Sequence, residues 1–142
     1  MLPILLALLA CNSSAPEGDA HDHADHADQA ADALVLSLDG SAKWKMDAHT
    51  RKVMAKTRET IHGADTSNVQ ALQGLGAVLQ RQLDKLIEGC TMDGPAHDEL
   101  HVFLMAWIPK VDALKKATGA KTGQVTVDEM MAMLDKYDEF FE

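Results

Sequence analysis

Apolar side chains recur at intervals of three and four residues through most of the chain after residue 45. This is the period of a helix that buries one face. It predicts four helices, at about 47–61, about 67–88, from 95 to a stop at Gly119, and from 126 onward. The residues predicted to face inward are Met46, Thr50, Val53, Met54, Thr57 and Ile61, then Val69, Leu72, Leu75, Leu79, Leu83, Leu86 and Ile87, then Leu100, Leu104, Trp107, Ile108, Val111 and Leu114, and finally Val127, Met130, Met131, Leu134, Tyr137 and Phe141.

Capping and helix-breaking residues set the predicted ends of these helices. Thr66 or Ser67 offers a hydroxyl to cap the second helix. Pro95 suits the first position of the third, because that N–H has no helical partner, whereas Pro109 predicts a kink inside it. Residues 126–129, Thr-Val-Asp-Glu, match a capping box and predict the start of the fourth helix.

The helices are joined by short connections, so sequential helices are expected to pack as antiparallel neighbours. We therefore predict an all-α fold, an up-down-up-down four-helix bundle formed by residues 34–142. Residues 33–38 are predicted to form a short extended segment against one end of it. Gly74 and Gly76 fall inside the second helix, where each glycine costs about 1 kcal/mol relative to alanine. Close approach of a neighbouring helix explains them best, and a slot for a flat cofactor is the alternative.

Composition supports the helical interpretation and narrows the function. The aromatic content is 4%, which is low for a sheet protein. The chain carries 22 acidic and 13 basic residues, a net charge of −9. Such a charge argues against nucleic-acid binding, which depends on Lys and Arg contacts to phosphate. It suits an exported protein or one that attracts cations.

The first ten residues, MLPILLALLA, are uncharged and almost all apolar. They are too few to span a bilayer but match the apolar region of a secretory signal peptide. The following segment, Leu8-Leu9-Ala10-Cys11, resembles the lipobox of bacterial lipoproteins. That resemblance implies cleavage before Cys11, lipidation of its thiol and, with Asn12 next to it, sorting to the outer membrane facing the periplasm. A short buried helix is the alternative for residues 1–10.

Residues 11–33 are rich in Asp and Ala, also contain Gly and Ser, and offer no apolar face, so we expect a disordered tether. His21, His23 and His26 lie within it, and short histidine-rich tracts bind metals. The tract is therefore either a site of metal capture or a solvated spacer.

The segment Cys90-Thr-Met-Asp-Gly-Pro-Ala-His-Asp-Glu-Leu-His101 contains four side chains that ligate transition metals: Cys90, Met92, His97 and His101. His97 and His101 are four residues apart on the predicted helix and share its inward face. If Cys11 is lipidated, Cys90 has no intramolecular disulfide partner in an oxidising compartment. We predict that these four side chains form a metal site.

The bundle topology places this segment at one end, where helices 1 and 3 begin and helices 2 and 4 end, which we call the site pole. Thiolate and thioether ligands favour copper, and imidazole also suits it. Met46 and His49 are possible outer ligands at the same pole. The side chains predicted to shield the site from water are Trp44, Phe140 and Phe141. A partner protein that exchanges the metal is expected with such a site.

Other interpretations remain open at this stage. Zinc accepts one Cys and two His, and a b-type haem between Met46 and His101 would resemble the b562-type cytochromes. His97-Asp-Glu-Leu-His101 resembles the zinc-peptidase motif H-E-x-x-H, but Asp98 replaces its glutamate, so we expect no enzyme activity. The pattern C-T-M-x-G-x-A-H-x-x-L-H also resembles small exported helical proteins of unassigned function. The main alternative is a lipoprotein that docks a partner without metal.

Overall fold

A computed structural model describes residues 34–142 and contains four α-helices. We number them α1, Ala48–His62; α2, Val69–Gly89; α3, Gly94–Lys115; and α4, Ala120–Phe140. Each helix packs against the next along the chain, and α4 packs back on α1. The all-α, up-down-up-down bundle predicted from the sequence is therefore confirmed. No helix in residues 34–142 is both long and apolar enough to cross a membrane.

The core follows the predicted apolar stripes, but two residues predicted to face inward are exposed. Leu86 and Trp107 are buried, but Ile87 is 56% exposed and Ile108 is 36% exposed. Each isoleucine follows its buried neighbour directly, and one residue turns a helix by about 100°. Periodicity alone placed both on the edge of the buried face, and the neighbouring helices do not cover that edge.

Phe103, which the stripes left out, lies at the centre of an aromatic cluster and is fully buried. Its ring centroid is 5.5 Å from that of Trp107, 5.1 Å from that of Tyr137 and 6.5 Å from that of Phe141. Tyr137 and Phe141 also stack on each other at 4.6 Å. The cluster joins α3 to the end of α4 near the site pole.

The starts of the first two helices are capped by side-chain acceptors. Asp47 accepts a hydrogen bond from Thr50 N, and Asn68 accepts one from Ala71 N. The second cap was predicted at Thr66 or Ser67 and is in fact Asn68. Asparagine caps a helix as well as serine does, so residue type does not decide which of these neighbours is the N-cap. The position at which the buried stripe begins decides it.

The predicted start of the fourth helix at 126 is wrong, because α4 begins six residues earlier, at Ala120. α3 correspondingly ends at Lys115, before Gly119, which becomes the N-cap residue of α4. Thr126 lies inside the helix and donates its hydroxyl to Thr122 O. Glu129 does not turn back to a helix start, since its carboxylate pairs with Lys110 of α3 at 2.5 Å.

These two observations give a prediction for helix capping. Asn68→Ala should lower the free energy of unfolding by about 1 kcal/mol, because a true cap is lost. Thr126→Ala should change it by less than about 0.5 kcal/mol, because the residue is a half-buried interior helix position. Urea denaturation followed by circular dichroism measures both. A larger loss in Thr126→Ala than in Asn68→Ala would contradict the observed start of α4.

The chain before α1 is held at the site pole. Ser37 N and Oγ donate to the carboxylate of Glu99, close to the start of α3. The Trp44 ring nitrogen donates to Ser37 O, and Trp44 N donates to Phe140 O at the end of α4. Leu34 is buried and Val35 exposed, as the predicted extended segment requires. Residues 1–33 lie outside the described part of the chain.

Gly76 lies where α2 and α3 approach each other closely. A Cβ atom added there would lie 2.6 Å from Lys115 N and 2.9 Å from Leu114 C, both backbone atoms of α3. A Cβ atom on Gly74 would meet nothing within 4 Å. The close-approach interpretation therefore holds for Gly76 alone, and Gly74 is an exposed residue of α2.

Candidate metal centre

The loop between α2 and α3 is short and sharply turned. α2 ends at Gly89, and Cys90 is its C-cap residue in an extended conformation. Gly94 opens α3 with φ +66°, a left-handed conformation that favours glycine. Pro95 follows in the first turn, as predicted. This turn brings the end of α2 and the first turns of α3 side by side.

The turn places three of the four predicted ligands together. Cys90 Sγ lies 3.6 Å from His97 Nδ1, which is hydrogen-bonding distance for sulfur. The His97 and His101 rings lie one helical turn apart, with centroids 4.3 Å apart and planes tilted by 44°. A thiol and two imidazoles thus form a continuous row from the loop onto α3.

The row borders a small pocket of about 120 Å³ between α2 and α3. Its remaining walls are apolar and come from Leu86, Ile87, Leu100 and Leu104. Cys90 and His97 are half-buried, whereas His101 is exposed. The pocket is therefore closed towards the core and open to solvent at His101.

The aromatic side chains predicted to shield this site do not line the pocket. Phe141 stacks on Tyr137 in the aromatic cluster. Trp44 and Phe140 are half-buried and lie where the chain before α1 meets the end of α4. The apolar residues that line the pocket are instead leucines of α2 and α3 and the half-exposed Ile87. The apolar stripes predicted that these residues face the core. They did not indicate that the same residues also line a pocket beside Cys90 and the two histidines.

Met92, the fourth predicted ligand, lies apart from the pocket. Its thioether accepts a hydrogen bond from Asp47 N at 3.3 Å, at the start of α1. It is half-buried against the core and does not line the pocket between α2 and α3. The loop thus turns Cys90 towards His97 of α3 and Met92 towards Asp47 at the start of α1.

Asp47 fixes the loop that carries Cys90. Besides capping α1 through Oδ1, it accepts hydrogen bonds at Oδ2 from Thr91 N at 2.9 Å and Thr91 Oγ1 at 2.8 Å. Burial alone would raise the pKa of this carboxyl, but the hydrogen bonds from Thr50 and Thr91 outweigh it and hold the pKa well below its usual range. The contact joins residues 44 positions apart, so the sequence indicates only the capping role of Asp47 before a helix.

The two predicted outer ligands also lie elsewhere. His49 Nε2 is 2.8 Å from Lys85 O, a carbonyl in the last turn of α2, so this nitrogen carries the proton and donates it. The His49 ring lies against Gly89, where an added Cβ atom would come within 2.3 Å of it. Met46 is buried, and its backbone N–H donates to Glu142 O. Neither side chain lines the pocket.

Within residues 34–142 there is no ready-made cluster of three or more Cys, His, Asp or Glu side chains that could hold a metal ion. The row instead consists of one thiol–imidazole contact and one imidazole–imidazole contact. Cys90 forms no disulfide among the described residues. The proposed tether ligands His21, His23 and His26, and the lipobox with Cys11, lie outside the described residues and stay predictions.

No known protein family, no curated protein and no solved structure matches this chain.

Proposed function

We propose that this protein binds copper as Cu(I) at the site pole, with Cys90, His97 and His101 as ligands. The observation that supports this most strongly is the 3.6 Å approach of Cys90 Sγ to His97 Nδ1 across the α2–α3 turn. A thiolate is the soft ligand that selects Cu(I), and imidazole is an accepted partner. Cu(I) needs few ligands, so Cys90 and His97 are enough to bind it. A rotation of the His101 side chain would add a third ligand.

The surroundings of the row suit a site of metal exchange. The apolar walls exclude water from one side of the pocket, while the exposed His101 leaves the other side accessible. A ligand accessible to solvent allows an ion to pass to another protein without unfolding the site. We therefore assign the protein to copper buffering or delivery, with no catalytic role, and Met92, Met46 and His49 to structural roles.

The predicted N-terminal features fit the same proposal. Lipidation at Cys11 would anchor the protein to the outer membrane facing the periplasm, and it would leave Cys90 as the one thiol of the mature chain. The tether histidines His21, His23 and His26 would collect ions and pass them to the row.

A second candidate function, docking of a protein partner without metal, is favoured by one observation. Apolar side chains next to the row are exposed: Ile87 at 56%, Met105 at 75% and Val102 at 42%. Exposed apolar surface beyond scattered single residues marks contact sites. Copper binding requires Cys90, whereas docking of a partner on these apolar side chains does not.

Titration of the full chain with Cu(I) against a competing chelator, under reducing conditions, tests the proposal. The chain carries Cys11→Ser so that Cys90 is the one thiol present. We expect one tight equivalent with ultraviolet thiolate-to-copper absorption. Cys90→Ser should weaken it by at least about 100-fold, more than the loss of a group that only orients a ligand. His101→Ala should weaken it less, because one imidazole remains.

His62→Ala is the matched control, because His62 is an exposed histidine at the far end of α1. It should leave the affinity unchanged. Copper affinity that is unaffected by Cys90→Ser, or no competition with the chelator at all, would rule out the copper proposal and leave partner docking.

A further inference from the structure

A groove of about 590 Å³ between α1 and α2 carries a concentration of positive charge that is unusual for this acidic chain. We call it the basic groove. Four basic side chains line it, and Glu88 is its one acidic lining residue. Its basic residues are Lys52 and Lys56 on α1 and Arg81 and Lys85 on α2. Val53 and Val78 contribute apolar surface between them.

These cations are poorly compensated by the rest of the folded domain. Lys52, Arg81 and Lys85 form no ion pair with any residue in the range 34–142. Lys56 pairs with Glu59, but both side chains are about two-thirds exposed, at 66% and 69%, so that pair is weak. On each helix the two cations are four residues apart, which separates them by about 6 Å along the axis. The groove thus offers two facing rows of positive charge.

The chain itself supplies a segment of opposite charge. Residues 11–33 contain six acidic residues and no Lys or Arg, so all 13 basic residues lie in the folded part. The acidic residues are Glu17, Asp19, Asp22, Asp25, Asp28 and Asp32. Alanine is the commonest residue between them, and its small apolar side chain is compatible with the apolar surface of Val53 and Val78. The segment therefore matches the groove in charge and in bulk.

The segment also begins at the correct end of the bundle. Ser37 is bonded to Glu99 near the start of α3, and the buried Leu34 lies within about 10 Å of it along the chain. The groove extends from this same pole, since His49 at the start of α1 and Gly89 at the end of α2 both line it. The six steps along the chain from residue 28 to residue 34 span up to about 20 Å, which is about the width of two packed helices.

We propose that residues 17–28 lie in the basic groove as an intramolecular ligand, held by their carboxylates between the cations of α1 and α2. A short tether gives such a contact an effective concentration of about a millimolar, so weak individual pairs are enough. The contact does not depend on copper. If the row at Cys90 does bind copper, the same contact keeps the tether histidines close to the end of α2.

Amide chemical shifts of the full chain test this directly. In this test the six acidic residues of the tether are replaced by Asn or Gln. The amide resonances along the groove, around Lys52, Lys56, Arg81 and Lys85, should then shift, and those of the α3–α4 face should stay unchanged. Raising salt from about 20 mM to about 1 M should produce the same shifts in the wild-type chain, since it shortens the Debye length to about 3 Å. Both perturbations then release the same segment.

A pair of triple variants separates the groove from charge in general. In Lys52→Gln/Arg81→Gln/Lys85→Gln, replacing the acidic residues of the tether should cause no further amide shift at the groove. In Lys45→Gln/Lys116→Gln/Lys121→Gln, which neutralises exposed lysines that form no salt bridge in residues 34–142, the effect should persist. Shifts that are absent, or scattered over the surface, would overturn the proposal. So would groove shifts that appear only with anionic phospholipid vesicles, because a membrane would then be the occupant.

Discussion

Replacing Gly76 by alanine should lower the free energy of unfolding by about 3 kcal/mol, at the upper end of the usual cost of overpacking. The added methyl group would lie 2.6 Å and 2.9 Å from backbone atoms of Lys115 and Leu114. Backbone atoms in the last turn of a helix cannot rotate away as a side chain can. α2 and α3 would have to separate along their contact, which loosens the packing of Leu72 and Leu79 beneath it.

Gly74→Ala is the matched control, because it makes the same chemical change two residues earlier on the same helix. Nothing lies within 4 Å of its added Cβ atom, so it should raise the free energy of unfolding by about 1 kcal/mol through helix propensity alone. Chemical denaturation of the two variants measures the difference directly. Equal effects at both positions would show that α2 and α3 are not in backbone contact at Gly76.

Asp47→Ala should also cost about 3 kcal/mol, because it removes a helix cap and two further hydrogen bonds to a charged acceptor. The carboxylate holds Thr50 N at 2.6 Å and both donors of Thr91. Losing it frees the loop that positions Cys90. Asp47→Asn should cost about half as much, since its carbonyl still caps α1 while its NH₂ group cannot accept from Thr91.

The contribution of Asp47 should depend on pH in a defined direction. Its pKa is lower in the folded protein than the value of about 4 that it has in the unfolded chain. The stabilisation is therefore complete above about pH 4 and declines as the pH falls below that value towards the folded pKa. The stability difference between wild type and Asp47→Ala, measured by urea denaturation from pH 6 to about pH 2, should shrink only in the acid range. A difference that stays constant to about pH 2 would contradict the hydrogen-bonded carboxylate.

Patterns within single helices predicted the fold well. The period of apolar residues located all four helices, and the short connections fixed their antiparallel order. The errors fall where a local signal had two meanings. Thr126 and Glu129 have the spacing of a capping box, but the turn before them is already helical and buries Gly123 against Leu72. Glu129 instead forms an ion pair with Lys110 of α3, and sequence spacing cannot show a contact between two helices.

The candidate site was predicted only as far as its own helix extends. His97 and His101 share a face because of their four-residue spacing, and the structure shows their rings together. The direction of the loop side chains depends on contacts far away in sequence. Asp47 draws Thr91 and Met92 towards α1, and Cys90, between this anchor and α2, is left facing His97.

The backbone hydrogen bonds between residues 44–46 and 140–142 have a mechanical consequence. Trp44 and Met46 are hydrogen-bonded to residues 140 and 142 by three backbone bonds, so the first and last described segments are clamped to each other. Tension on the chain before Leu34 is carried by this clamp and by the Ser37–Glu99 contact before it reaches α1. A pull on the chain before Leu34 would therefore load α3 and residues 140–142 before it loaded α1.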